Sequence, residues 1–426
     1  FKKAAAGVLS CTMLLGSLVI SGCSDSNTSG AQSADNTSNG SSTAHQGEIK
    51  DISSVELVKD MKIGWSLGNT LDGGNEVNRG QAPGAIEKSW GNPDTTKEMI
   101  DEIKKAGFNV LRVPTTWDWS TGEAPEYKIS DEWFARVKEI VDYGMENDMY
   151  VILNIHHETW HDPLEANYEA ASDRLKKVWT QIGNYFKDYD EHLIFEGLNE
   201  PRVRNSDEEW NGGSDATREV VNKLDADFVS TIRSLDGNNK LRHLMIPGYA
   251  ASSSEVALKG LKIPENDDKL IVSVHAYIPY NFALSDNKRS NKWVACKEGF
   301  TNDIDNLADM LKTLFTDKGQ AVIIGEFGAR SKDNEKYRAE WAKYYVTKMK
   351  TVGVPCVWWD NGAFTGSGEL FGLFDRRNLE WRYPLLKDAL ISAANGEYTV
   401  DGLKSDTAIL DELKKDIAQS KNSSAE

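Results

Sequence analysis

The sequence predicts an α/β fold of the (β/α)8 barrel type, a single catalytic-size domain behind a flexible tether, and three observations carry that reading. Short apolar runs rich in β-branched residues recur eight times between residues 48 and 396. Amphipathic stretches of helical period separate them, and strands joined by crossover helices pair in parallel. No GxGxxG or Walker-type loop follows the first run, so an open doubly wound sheet lacks its phosphate-binding mark. Eight such units close into a barrel.

Taken in order, residues 1–23 combine two lysines, an apolar run and Ser21-Gly22-Cys23. This is the charged n-region and apolar h-region of a signal peptide, although the run also approaches the length of a short membrane anchor. Its ending, ISGC, resembles a bacterial lipobox, with Ile20 where such boxes usually carry Leu. The resemblance implies lipidation at Cys23 and an extracellular or cell-surface protein held on the membrane. Residues 24–47 are almost devoid of apolar side chains. They cannot bury enough surface to offset their ordering entropy and are expected to be a flexible linker.

The barrel domain is assigned to residues 48–396. Its strand runs are 61–69, 108–114, 149–156, 193–199, 243–247, 270–277, 321–326 and 355–360. Helix candidates are 96–106, 131–146, 172–187, 215–234, 303–315, 336–350 and 383–394. The fifth unit is the weakest, because its helical stretch, 251–261, is short and glycine-broken. Thr95-Thr96 and Ser130 read as helix starts, with a hydroxyl to cap and acids in the first turn. Residues 397–426 form a polar tail too small for a domain, with a helical candidate at 408–417.

Cys11 falls in the signal and Cys23 in the lipobox, leaving Cys296 and Cys356. One disulfide could join them, but a core this large needs no staple and two buried free thiols are expected. A formal charge of −17 without a Lys/Arg cluster argues against a nucleic-acid partner. A neutral polymer suits it better, and a monomer is expected.

The active site of such a barrel is built at the C-terminal ends of its strands. Unusual residues gather there: Asn69 after the first run, Arg112 in the second, His156 and His157 after the third, and Asn199-Glu200 after the fourth. His275 and Tyr277 end the sixth, Glu326 the seventh, and Trp358, Trp359, Asp360 and Asn361 the eighth. Side chains two apart share a strand face. That alternation groups Val322, Ile324 and Glu326, His275 with Tyr277, and Asn154 with His156. A carboxylate closing the apolar run before Glu326 is costly unless paired or hydrogen-bonded, which favours a functional role. Glu196 lies mid-strand and reads as a satisfied acid inside the barrel. Arg112 as a core ion pair, the histidines as ordinary hydrogen-bonders and the tryptophans as packing are the plainer readings.

Seven motifs in order, GWSLGNTLD (64–72), LRVP (111–114), NIHHE (154–158), FEGLNEPR (195–202), VHAYIP (274–279), IIGEFG (323–328) and WWDNG (358–362), resemble glycoside hydrolase family 5. The likeness is greatest to its subfamily 4 endoglucanases and xyloglucanases, and it covers residues 60–390. It implies Glu200 as acid/base, Glu326 as nucleophile, Arg112 beside the nucleophile and Asn199 on the sugar 2-hydroxyl. His156, His275 and Tyr277 match the surrounding polar shell. Trp359 is the better match to the aromatic platform under the −1 sugar, and counting does not separate it from Trp358. Asn69 resembles a glycone-side contact; His157, Asn361, Trp90 and Trp117 are further substrate-binding candidates. The subgroup often has a histidine three residues after the tryptophan of its second-strand loop, whereas here Trp117 is followed there by Ser120.

Such chemistry passes through an oxocarbenium-like state, with one carboxyl protonating the leaving oxygen and an ionised one attacking the anomeric carbon. Burial and nearby negative charge are expected to raise Glu200, while Arg112 and a bond from Tyr277 keep Glu326 ionised. Retention needs the two groups roughly 5–5.5 Å apart, and no cofactor is required. Sugar rings present apolar C–H faces, so a polymer cleft should carry aromatic platforms. Asn75, Trp90, Trp160 and Trp210 are the outer-subsite candidates. The activity expected is cleavage of internal β-1,4 bonds in cellulose or mixed-linkage β-glucan, the partner being a plant cell-wall polysaccharide. Xyloglucan, xylan and mannan are alternatives on the same fold, and a non-catalytic carbohydrate-binding surface protein is the alternative of another class. His157-Glu158-Thr159-Trp160-His161 spells the HExxH zinc signature, but follows a strand and runs into Asp162-Pro163. That is a poor setting for the helix the motif requires, so no metal is expected.

Overall fold

Eight strands pair in parallel and in chain order, and the last returns to the first to close a barrel. They are β1 (Ile63–Leu67), β2 (Val110–Val113), β3 (Tyr150–Asn154), β4 (Leu193–Glu196), β5 (Leu244–Ser252), β6 (Leu270–His275), β7 (Ala321–Phe327) and β8 (Cys356–Asp360). This computed structural model describes residues 45–410 and 413–415. The signal, Cys23 and nearly all of the linker lie outside the described residues; of the 408–417 candidate, 408–410 and 413–415 are described and helical. Among the described residues no helix is long and apolar enough to cross a membrane.

Both faces of the sheet are covered, as a parallel barrel requires. One core lies inside: Val110, Ile152, Ile194, Met245, Ile271, Ile323 and Val357 pack together, closed from below by Leu57 and Val58 of helix Ser54–Asp60. The larger core lies between strands and helices, and includes Trp65, Leu111, Val151, Val322 and Ile324. At the β8–β1 seam a Cβ on Gly64 would sit 2.7 Å from a Val357 methyl, so the residue's lack of a side chain sets the strand approach there.

Ser130 caps its helix as expected, accepting from the Trp133 N–H, but Thr96 makes no such bond. The fifth strand is longer than expected and runs to Ser252. Ala250 and Ala251 adopt left-handed φ of 53° and 46°, and pairing with β6 breaks between Pro247 and Ser252. The helix expected at 251–261 shrinks to Glu255–Gly260 for that reason. Residues 45–47, assigned to the linker, are docked: Gln46 pairs antiparallel with Tyr189 and the Gly47 N–H donates to Asp188. Helix Val400–Ser405 and the small hairpin Phe374–Asp375/Glu380–Trp381 were not anticipated. Cys296 and Cys356 are both free; Cys356 is buried, but Cys296 is only partly so.

Candidate active site

Arg112 points from β2 into the barrel mouth with no exposed surface. Its Nε donates to Glu196 at 2.9 Å, Nη1 to Glu326 at 2.7 Å and Nη2 to Asn199 Oδ1 at 2.7 Å. Burial opposes its charge, yet Glu196 and Glu326 outweigh burial and hold it above the ordinary arginine value. Glu196 is the satisfied interior acid expected, accepting also from Asn154 Nδ2 at 2.9 Å and Ser273 Oγ at 2.6 Å.

Glu326 reaches this hub through a register irregularity rather than by simple alternation. Val322 and Ile324 face the helices, and the pairing of β7 shifts against both β6 and β8 just before Glu326. The expected shared face of Val322, Ile324 and Glu326 is therefore corrected: the break re-aims Glu326 into the mouth, as bulges beside active sites commonly do. Its other oxygen accepts from Tyr277 Oη at 2.8 Å. Burial first, then the charges of Glu326 and Glu200, push that phenol well above its usual range, so it stays a neutral donor.

Glu200 and Glu326 face each other with His275 between them. His275 Nδ1 lies 2.8 Å from Glu200 Oε1 and 3.6 Å from Glu326 Oε2, and one oxygen of each carboxylate falls within a 4.8 Å cluster with that nitrogen. Burial pushes Glu200 upward, but the His275 bond, the His275 charge and Arg202 together hold it below the ordinary carboxylate range. The expected upward shift is thus reversed in the resting site. Burial works against a charged His275, but Glu326 and Glu200 raise it. The two shifts run together, favouring a charged imidazole beside an ionised Glu200.

On the side of β1, β3 and β8, His156 is buried and stacks on Trp359, their planes 4° apart and centroids 5.7 Å apart. Asn154 Nδ2 donates to its Nδ1 at 3.1 Å. Burial, then the neighbouring His157 and Arg112, hold His156 well below its usual value, and burial brings His157 to about 4. Both are neutral hydrogen-bonding groups. Asn69, His157, Trp90, Trp359 and Asn361 line a cleft of about 1090 Å³ that also contains Glu200 and Glu326. Asn361 is partly committed: its amide donates to Glu369 O at 2.7 Å and its oxygen accepts from the Ala363 and Phe371 N–H groups.

Two substrate-binding assignments are corrected. Trp358 is fully buried, donates to Phe371 O at 3.2 Å and packs edge-on against Phe327 and Trp341. Register explains it: Trp358 pairs with core Trp65, whereas Trp359 pairs with Ser66, next to Arg112. Trp117 is likewise buried, donating to Asn154 O at 2.9 Å with its ring against Phe134. Of the outer candidates Trp90 and Trp210 line the cleft; Asn75 caps a 3-10 turn and Trp160 donates to Glu158 outside it. The HExxH segment is not helical, and His161 is buried apart from the cleft that His157 lines.

Sequence reasoning gave no role to Arg202, Tyr280, Arg330 or Glu369. Arg202 lies 3.4 Å from Glu200 Oε2, is held by Glu209 at 3.2 Å, and stacks on Trp210 at 4.2 Å. Tyr280, Arg330 and Glu369 also line the cleft. Burial raises Glu369, opposed by Arg330 and assisted by the two facing glutamates. Arg330 and Glu369 lie on loops and Tyr280 opens the short helix Tyr280–Ala283, none with a strand-end pattern; Arg202 was visible as the last letter of NEPR.

The chain is 49% identical to Endoglucanase B of Neocallimastix patriciarum over 80% of its own length and 72% of that protein. It is 45% identical to Endoglucanase A of Ruminococcus albus, covering 82% of this chain and 95% of the relative. Among solved structures it resembles a GH5-4 broad specificity endoglucanase from Ruminococcus champanellensis with bound cellotriose, with TM-score 0.77, 43% identity and coverage of 81% and 99%. A GH5 family lichenase from Caldicellulosiruptor sp. F32 gives TM-score 0.77, 43% identity and coverage of 82% and 97%. The Cellulase description, glycosyl hydrolase family 5, matches residues 72–365. With a closed barrel, paired glutamates at its mouth and relatives of this closeness, the chain belongs to glycosyl hydrolase family 5.

Proposed function

We propose that the chain is a retaining endo-β-1,4-glucanase acting on internal bonds of cellulose-like and mixed-linkage β-glucans. The observation that carries this is the pair Glu200 and Glu326, with carboxylate oxygens inside one 4.8 Å cluster. That fits direct attack, for which carboxyl groups roughly 5–5.5 Å apart are typical, better than inversion, in which a separation of roughly 6.5–9.5 Å leaves room for a water. Glu200 delivers the proton it shares with His275 to the leaving oxygen while Glu326 bonds to the anomeric carbon. Arg112 and Tyr277 hold Glu326 on its line of attack. In the second step Glu200 takes a proton from water, whose oxygen displaces Glu326. Asn199, fixed by Arg112, is placed to meet the sugar 2-hydroxyl, and Trp359 offers the platform beneath the ring.

Endo cleavage is supported by aromatic side chains on both sides of the glutamates. Trp90 lies by β1 and β3, while Trp210 and Tyr280 lie by β4 and β6, on the far side of the mouth, and all three are exposed. Relatives described as endoglucanases, and neighbours described as broad specificity endoglucanase and lichenase, support the polymer class. Proton NMR of fresh hydrolysate from a β-linked oligosaccharide is expected to show the β-anomer first. An α-anomer first would overturn retention.

The lipobox-like ISGC supports a second, separate reading: the protein is held on the cell surface through lipidated Cys23, working there as a monomer. Mass spectrometry of the mature N-terminus should find an acylated cysteine, and Cys23→Ala should release the enzyme into the medium. An unmodified N-terminus elsewhere would remove it.

A further inference from the structure

We propose a divalent-metal site of the zinc type on the barrel face opposite the cleft, built by His45, His192 and Asp148. Asp148 lies just ahead of β3 and His192 just ahead of β4, at the strand starts. His45 is delivered by the docked N-terminal segment, whose carbonyl accepts from the Asp190 N–H at 2.9 Å.

The arrangement around Asp190 is what points to a metal. One of its oxygens lies 2.9 Å from His45 Nδ1 and the other 3.0 Å from His192 Nδ1. A single carboxylate thus accepts from Nδ1 of both rings and orients them, so that each Nε2 faces away from it. Both Nε2 atoms approach one oxygen of Asp148: His45 Nε2 is 3.2 Å and His192 Nε2 3.8 Å from Oδ1. Ligand atoms on a tetrahedral ion with bonds of about 2.0–2.1 Å are separated by roughly 3.3 Å, which these spacings bracket. Carboxylate-oriented imidazoles converging with a second carboxylate are the outer and inner shells of a zinc centre. The Asp148 side chain is 76% exposed while the two imidazoles are only 19% and 14% exposed, so an ion held here would be reached from solvent on the Asp148 side. Two imidazoles and one carboxylate favour zinc over calcium or magnesium, which take oxygen ligands. Bound there, the ion would tie the entering segment to the loops before β3 and β4 without touching the catalytic carboxylates.

The test is titration of the full, chelator-treated protein with Zn2+ by calorimetry, with Co2+ as a spectroscopic probe. One equivalent should bind, with visible Co2+ absorption of low coordination number. At about a hundredfold excess over Kd the unfolding midpoint should rise by roughly 3 °C. Asp190→Asn should weaken binding about 10- to 100-fold, and His192→Gln should abolish it, both with glucanase activity unchanged. Because His192 also stacks on Tyr150, the exposed Asp148→Asn supplies a variant that leaves packing intact and should also weaken binding at least tenfold. No Zn2+ uptake up to about 1 mM would overturn the proposal. So would uptake that persists in all three variants and inhibits hydrolysis, since that ion would sit on Glu200 and Glu326.

Discussion

Replacing Arg112 by Met should separate two functions that one guanidinium performs. Methionine fills the space of the aliphatic stem, but it removes the guanidinium and with it the donors to Glu196, Glu326 and Asn199 at once. Two carboxylates are then left without their cation in a site where Arg112 and Glu196 have no exposed side chain and Glu326 has 6%. Stranding one partner of a buried pair costs about 3–5 kcal/mol. Glu196 keeps Asn154 and Ser273 as donors, and Glu326 keeps Tyr277, so the lower part of that range is expected. For the reaction, loss of a preorganised donor on the nucleophile, with release of Asn199, should lower kcat by about 10²–10³. Urea unfolding with an unchanged m-value gives the first quantity, and hydrolysis of a soluble β-1,4 oligosaccharide at saturation gives the second. Arg112→Lys should recover part of the stability, because charge returns, but little of the rate, because a point charge cannot reach three acceptors. A Met variant within about 1 kcal/mol of wild type and within tenfold in kcat would refute the hub.

Other expectations follow from the same geometry. Trp359→Ala should weaken binding of cello-oligosaccharides with little change in Tm, whereas Trp358→Ala should cost about 3–5 kcal/mol of stability in urea; the opposite pattern would reverse their assignment. The basic limb of kcat/KM should lie above the ordinary histidine value of 6.5, because His275 is raised by Glu326 and Glu200. In His275→Asn one base remains to hold the shared proton, so the limb should move to lower pH; an unmoved limb would sink the shared-proton account. Asp225 is buried with neither oxygen hydrogen-bonded, and burial raises it well above 3.8. Its folded affinity for the proton exceeds its unfolded one, so stability falls as pH rises past about 4. Asp225→Asn should therefore stabilise by at least about 1 kcal/mol at pH 7 relative to its effect near pH 4, measured by urea unfolding at both; equal effects at the two pH values would contradict this.

Much of this was legible because strand runs and strand-end polar residues are short-range signals. All eight strands lie where apolar runs occur, and Glu200, Glu326, Arg112, His275 and Tyr277 converge as strand-end residues should. What escaped was decided by tertiary register. Counting by twos cannot foresee the shift that turns Glu326 inward, nor which of two adjacent tryptophans faces Ser66. The longer fifth strand depends on two alanines in left-handed backbone, which their side chains do not announce. The proton balance of Glu200 depended on a histidine from another strand, so burial alone misled. Arg330 and Glu369 sit in loops whose paths are set by what they pack on.

A cleft flanked on both sides by exposed aromatic rings lets a glucan lie across it anywhere along its length, without threading an end. Each scission then falls at an arbitrary point, so a solution of long chains should thin out while very few new reducing termini have accumulated. The placement of Trp90 on one flank and of Trp210 and Tyr280 on the other thereby governs how fast a gel softens, as much as how many bonds are cut.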